Sequence, residues 1–333
     1  MADNTNTLEF EKPLVELREK IEELKMFMDK KDIDLSEEID RLKKRAKNLR
    51  KEIYSNLESW QILQIARHPK RPLTSNYIDF MCEDFMELRG DRRFSNDKAL
   101  IGGVGIIEGS PVTILGHQKG KSTKENLNRN FGMAHPEGYR KALRLMKQAE
   151  KFDRPIINLI NTPGAYPGIG AEERGQAEAI ATNLQEMSEL SVPIVVVIIG
   201  EGGSGGALGI GLGDEIMMLE YGYYSVSSPE ACAAILWKDS EKASEAANAL
   251  NLTAPDLLEL DIIDKIIKEP PGGAHKDPAR AAQILKKEIM NSIETLSEYN
   301  QEELLEKRYQ KFRNMGKFNN KSNKQNYDQA QTS

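Results

Sequence analysis

Residues 193–213 read Pro193-Ile-Val-Val-Val-Ile-Ile-Gly-Glu-Gly-Gly-Ser-Gly-Gly-Ala-Leu-Gly-Ile-Gly-Leu-Gly213. The β-branched run Ile194–Ile199 suits a strand covered on both faces. Glycines 200, 202, 203, 205 and 206 follow, where a small-residue helix is expected to begin. A helix start leaves its first N–H groups without partners and aims the helix dipole through them, which suits a phosphate or a developing oxyanion. Packing alone accounts poorly for five glycines in seven positions, because each costs chain entropy with no side chain in return.

Two familiar patterns fit by letter. Gly200-x-Gly202-x-x-Gly205 spells a dinucleotide fingerprint, with Glu220 twenty residues after Gly200. The segment before the next strand, Ile216–Leu219, is short and holds Gly209, Gly211 and Gly213, whereas a crossover helix should be longer and poorer in glycine. Gly202-x-Ser204-x-Gly206 spells a nucleophile elbow, and Asp261 or Asp264 followed by His275 keeps the hydrolase order Ser, Asp, His. His275 lies in a Pro-Pro-Gly-Gly loop, where a solvated histidine is the ordinary case. No Gly-Lys-Ser/Thr follows the glycines, which excludes a Walker loop.

A second loop of the same kind lies upstream. The strand Ile156–Asn161 ends in Thr162-Pro-Gly-Ala-Tyr-Pro-Gly-Ile-Gly170, stiffened by Pro163 and Pro167 and open to ligand approach at Gly164 and Gly168. A helix then runs from Ala171 to about Leu190. Two donor-bearing loops at neighbouring strand ends can serve one oxyanion hole.

The runs Asn161–Gln176 and Gly200–Leu208 resemble the carboxyltransferase alpha subunit of bacterial acetyl-CoA carboxylase. So do Gly116–Lys121 with Arg129–Met133, Pro136–Met146 and Ser227–Trp237, over roughly residues 8–315. The resemblance implies an α/β, crotonase-like (ClpP/crotonase) spiral of strand–strand–helix repeats. It also implies transfer of a carboxyl group from carboxybiotin to acetyl-CoA, forming malonyl-CoA at the entry to fatty acid synthesis. Implied partners are a zinc-ribbon beta subunit in an α2β2 heterotetramer, the biotin carboxyl carrier protein and biotin carboxylase. Biotin is then carried by the carrier protein, not by this chain.

Departure of the carboxylate from biotin and formation of the acetyl thioester enolate, both implied by that reaction, build charge on an oxygen, so preorganised backbone donors suit them better than a conventional acid or base. The resemblance places Gly205 and Gly206 at biotin as oxyanion donors, with Ala165 and Tyr166 as further catalytic positions. Gly206 is expected to keep its side-chain-free face for the ligand, so that Gly206→Val spares stability. Gly164, Pro167, Gly168, Gly202 and Gly203 are expected to line the substrate. The basic loop His117, Lys119, Lys121, Lys124 and Arg129 could attract coenzyme A phosphates or the migrating carboxylate; a surface loop or subunit contact is an equal reading. Two other functions stay open: a hydrolase using Ser204, and a non-catalytic scaffold.

The composition is compatible with this. At 333 residues and 39% hydrophobic content the chain can bury a full core, and its net charge of −6 disfavours nucleic acid or anionic membrane as the main partner. No apolar run approaches the ~20 residues of a membrane span, and the start Met1-Ala-Asp-Asn has no signal-peptide pattern. Cys82 and Cys232 form no CxxC pair, which fits a reducing cytoplasm (or a plastid stroma) and gives no zinc ribbon or other metal site here.

Residues 1–7 are expected to be disordered and 8–67 to form an α-hairpin. Its stripes are Leu14, Leu17, Ile21, Leu24 and Met28, and Ile39, Leu42, Ala46, Leu49, Ile53, Leu57 and Trp60. Asp34-Leu-Ser-Glu37 spells a capping box between them. The basic run from Lys43 to Lys51 could bind a polyanion, but a solvated helix face is the favoured reading. The carboxyltransferase domain is expected over 68–313, with strands near 102–107 and 112–115 and helices at Pro136–Lys151, Leu257–Ile267 and Pro278–Leu296. A disordered polar tail is expected over 314–333.

Overall fold

The computed structural model describes residues 7–31 and 34–316. The expected disorder at 1–6 and 317–333 therefore lies outside the described residues. Helices α1 (Lys12–Lys31), α2 (Ser36–Ser55), α3 (Ser59–Ala66) and α4 (Thr74–Met81) precede strands β1 (Asp84–Glu87), β2 (Leu100–Ile107) and β3 (Ser110–His117). Then come α5 (Thr123–Asn128), α6 (Pro136–Lys151), β4 (Ile156–Thr162), α7 (Ile169–Glu173), α8 (Gln176–Glu189), β5 (Ile194–Gly203) and α9 (Ser204–Leu208). The chain continues through β6 (Glu215–Leu219), β7 (Tyr223–Ser225), α10 (Pro229–Trp237), α11 (Ala243–Ala249), α12 (Ala254–Glu259), β8 (Lys265–Ile267), α13 (Pro278–Leu296) and α14 (Gln301–Asn314).

One sheet orders these strands β1-β2-β3-β4-β5-β6-β8, with β7 paired to the far end of β5. The first three are antiparallel, joined between β2 and β3 by a two-residue turn at Glu108 (φ 51°) and Gly109 (φ 75°). From β3 onward the pairing is parallel, and helices cover both faces. In β5, Ile194, Val196 and Ile198 enter one core with α6 and α8, while Val195, Val197 and Ile199 enter the other with α4 and α13. The six β-branched residues are fully buried, as a two-sided strand requires.

The strand outruns its expected end. Gly200–Gly203 extend β5, because Glu201–Gly203 pair with Tyr223–Ser225 and Gly202 pairs with Thr162. Only Ser204–Leu208 are helical.

The hairpin helices share a small core of Ile21, Ile39 and Leu42. The second stripe stops short of its expected length, since Trp60 packs against the main core with α3. No capping box forms at Asp34: its carboxylate accepts from the N–H and hydroxyl of Ser36, and α2 starts there. The helix expected over Leu257–Ile267 ends at Glu259. Asp261 turns left-handed (φ 57°), and the β-branched Ile266 and Ile267 join β6 as an edge strand.

Helix α14 had no counterpart in the sequence reading. Its Arg308 is 1% exposed and forks onto Asp214 at 2.8 and 2.7 Å. The same guanidinium donates to the carbonyls of Met187, Leu190 and Val192 at 2.9, 2.6 and 3.1 Å, tying α14 to the turn that enters β5.

Candidate active site

The two loops leave the carboxyl ends of β4 and β5, where open α/β sheets bind ligands. They are fastened backbone to backbone. A Cβ on Gly203 would lie 2.1 Å from the Pro163 carbonyl oxygen, and one on Gly206 would lie 2.2 Å from Gly164 C and 2.3 Å from Ala165 N. Thr162 Oγ1 braces the first loop by accepting from the Gly164 N–H at 3.2 Å and donating to its carbonyl at 2.7 Å. The Tyr139 hydroxyl donates to the Gly206 carbonyl at 3.2 Å.

The expected site residues therefore separate by what they touch. At Gly205 an added Cβ would meet only Ile180 Cδ1, at 3.8 Å, and at Gly164 it would meet nothing within 4 Å. These two glycines border open space. Gly206 is spent on loop packing, which overturns the expectation that its missing side chain is reserved for ligand; its N–H still stands in the first turn of α9. Gly202 and Gly203 are buried strand residues against Tyr224 and Pro163 and leave no room for substrate. Ala165 is half-buried in the first loop. Tyr166 cannot donate its N–H to a substrate, because that group donates to the Ala134 carbonyl at 3.0 Å. Its ring stacks on His135 at 4.1 Å, and Gly168 packs against that ring. Pro167 is exposed at the loop tip.

The basic loop does not converge on one ligand. Lys121 is exposed, and Arg129 donates to the Lys98 carbonyl at 2.9 Å. His117 is completely buried with neither ring nitrogen hydrogen-bonded. Burial pushes it down to about 3; the Gly206 carbonyl pulls the other way, and the charge of Lys119 adds to the depression. With no exposed surface the ring does not reach a ligand phosphate, so His117 leaves the substrate-binding set. His275, stacked on His68 at 4.0 Å, is likewise pushed down, to about 2, by burial and then by His68 and nearby cations.

These histidines make an acid-stability test. An unfolded histidine, with its ordinary pKa near 6.5, takes a proton that the native ring refuses. Stability contributed by a depressed group is present above that value and is lost as pH falls toward 3. Each ring should remove about 1.4 kcal/mol per pH unit below pH 6. Urea unfolding between pH 6 and 4.5 should thus show a slope that His117→Gln makes shallower by about that amount; an unchanged slope would refute the assignment.

Lys119 does face a cavity, of about 320 Å³, that also presents Arg67, Arg71, Asn161, Pro163 and Glu201. Burial, then Arg67 and Arg71, pushes its ammonium down to about 7, and the ammonium touches the Glu201 carboxylate. Glu201 is the centre of a network absent from the sequence reading. Its Oε1 accepts from Arg67 Nε and the Tyr223 hydroxyl, both at 2.7 Å, and Arg67 also pairs with Glu230 at 2.5 Å. The Glu201 N–H donates to Asn161 Oδ1 at 3.2 Å, coupling the two strand ends. A lone carboxylate amid glycines on a buried strand was the available signal, because a buried charge demands partners.

Ser204 sits at φ 49°, as a nucleophile elbow does, yet its hydroxyl has no hydrogen-bond partner among the described residues. Asp264 is engaged with the Ile216 N–H and with Lys311, and His275 is held against His68. No Ser–His–Asp relay is assembled among the described residues.

The sequence profile described as acetyl co-enzyme A carboxylase carboxyltransferase-like matches residues 7–316. The chain belongs to that family. A Listeria innocua protein named acetyl-coenzyme A carboxylase carboxyl transferase subunit alpha is 56% identical over 311 residues, 93% of this chain and 98% of that one. One of the same name from Carboxydothermus hydrogenoformans is 57% identical over 308 residues, 92% and 95% of the two chains. Among solved structures, transcarboxylase 12S with methylmalonyl-coenzyme A and methylmalonic acid bound superposes with a TM-score of 0.55 at 18% identity, covering 68% of this chain and 42% of that one. This chain thus spans less than half of the transcarboxylase chain. A Pseudomonas malonate decarboxylase hetero-tetramer in complex with coenzyme A gives a TM-score of 0.55 at 13% identity over 77% and 95% of the two chains. These likenesses show the fold, which is crotonase-like as the resemblance implied. Among the described residues of this carboxyltransferase-family chain, no group of three His, Cys, Asp or Glu side chains could hold a metal, and no helix is long and apolar enough to cross a membrane.

Proposed function

We propose that this chain is the alpha subunit of an acetyl-coenzyme A carboxylase carboxyltransferase, which moves a carboxyl group from carboxybiotin to acetyl-coenzyme A and yields malonyl-coenzyme A. The reading is carried by the paired backbone loops, with open glycines at 164 and 205, in a chain that the family profile matches over almost its full length. The residues present fit a biotin ureido group, whose oxygen needs N–H donors and an approach clear of side chains. Biotin supplies the carboxyl group and, once that has left, a basic ureido nitrogen. The N–H groups of Gly205 and Gly206, with that of Ala165 in the facing loop, hold the charge that builds on the ligand's oxygen. No protein base is needed, and Ser204 has no proton to move.

The chain supplies one side of the site, and a zinc-ribbon beta subunit supplies the other in an α2β2 assembly served by a biotin carboxyl carrier protein and biotin carboxylase. Exposed apolar side chains support this: Ile169 (79%), Leu208, Val226 (81%), Ile235 and Leu236 lie on segments that follow the carboxyl ends of β4, β5 and β7. The bacterial relatives and two free cysteines support a cytoplasmic place.

The purified chain alone should give negligible malonyl-coenzyme A-dependent carboxylation of free biotin, and activity should appear when the beta subunit is added. Full activity from the isolated chain would show a complete site here. Persistent inactivity of the assembled pair would defeat the carboxyltransferase reading and favour a scaffold.

A further inference from the structure

We propose that the cleft between the α1–α2 hairpin and the amino end of α13 binds a small ligand through a polyphosphate group. The cleft is a cavity of about 430 Å³, within the range of small-molecule sites. Arg18 enters from α1, Arg50 from α2 and Arg280 from α13, with Lys276 between them. None of the three guanidiniums has an ion pair or side-chain hydrogen bond among the described residues.

The carboxylates present are already committed. Glu11, 2% exposed, accepts from the Tyr54 hydroxyl at 2.5 Å, from Lys276 at 2.9 Å and from the Leu8 N–H at 3.3 Å. Asp277 caps α13 by accepting from the Arg280 N–H at 3.1 Å. Four cations thus meet two engaged acids in a chain whose net charge is −6. Arg18 and Arg280 are exposed and Arg50 is half-buried, so three guanidiniums without a carboxylate partner stand ready to donate to an anion that enters. Guanidinium forks match phosphate oxygens in pairs, and the dipole of the 19-residue α13 adds to the attraction. The basin continues along the hairpin past Lys47, while Lys25 and Lys43 are paired with Glu22 and Asp40. The cleft shares no lining residue with the cavity at Lys119.

The test is titration calorimetry of the full-length chain with inorganic tripolyphosphate at about 0.15 M salt, where surface charges more than a Debye length apart are screened. One saturable site is expected, and Arg18→Gln/Arg50→Gln/Arg280→Gln should weaken it by at least tenfold, since charged hydrogen bonds carry about 1.5–3 kcal/mol each. Should that variant fail to fold, Arg50→Gln alone decides, with an expected loss of about tenfold. Coenzyme A and a nucleoside triphosphate, titrated in parallel, identify the source of the phosphates by which of them binds more tightly than tripolyphosphate. Absence of saturable binding, or equal binding by the variants, would overturn the proposal. So would binding of a long RNA at this cleft that tripolyphosphate cannot displace.

Discussion

Gly205→Val should cut kcat/KM for carboxyl transfer by about 10²–10³ in the assembled enzyme and leave thermal stability near that of the wild type. The Cβ position at Gly205 has one neighbour, Ile180 Cδ1 at 3.8 Å, so the native fold accommodates the side chain. The added methyls would occupy the space through which an oxygen reaches the first N–H groups of α9, and loss of one preorganised donor typically costs about 2.7–4 kcal/mol in the transition state. Gly206→Val is the control of opposite kind: its Cβ would collide with the Gly164–Ala165 peptide, so stability and activity should fall together. The comparison is made by melting temperature and biotin kinetics on the same preparations. Normal biotin kinetics in a folded Gly205→Val enzyme would place the donors elsewhere.

Arg308→Met should cost about 3–5 kcal/mol of unfolding free energy, the usual penalty for leaving one member of a buried ion pair alone. Its guanidinium satisfies both Asp214 oxygens and the carbonyls of Met187, Leu190 and Val192. Removal takes the cation from a 3%-exposed carboxylate, whose other partner is the Ile194 N–H at 2.7 Å, and strands three carbonyls at the entrance to β5. Pairing the change with Asp214→Leu should recover part of the loss, because two apolar groups pack without desolvated charge. A single-variant cost below about 1 kcal/mol in urea unfolding would contradict this account of α14.

Much of the architecture was legible because it rests on local signals. Ile194–Ile199 reads as a two-sided strand from composition alone, and Pro136 and Pro278 mark helix starts at the residues where helices begin. What escaped was non-local. Gly200–Gly203 look like a turn, yet β7 and Thr162 supply pairing partners that keep them extended. Ile262 to Ile267 keep helical spacing, but the open edge of β6 and the left-handed Asp261 favour a strand. The two glycines bordering open space could not be told from their packed neighbours, because the difference lies in what faces each missing Cβ. His117 read as part of a basic loop because sequence shows spacing and not depth. Glu201 was overlooked because its partners Arg67, Lys119 and Tyr223 are far away in the chain.

The backbone-to-backbone contact between the two loops limits how this protein can escape a competitive inhibitor. A compound that accepts from the first N–H groups of α9 touches no side chain that could be exchanged to repel it. A new side chain at Gly205 or Gly164 enters the open space that the proposed function assigns to the ligand, and one at Gly203 or Gly206 drives the loops apart. Resistance substitutions should therefore arise at the rim, at positions such as Ile180 or Tyr166, and carry a fitness penalty that grows with their proximity to the glycine pair.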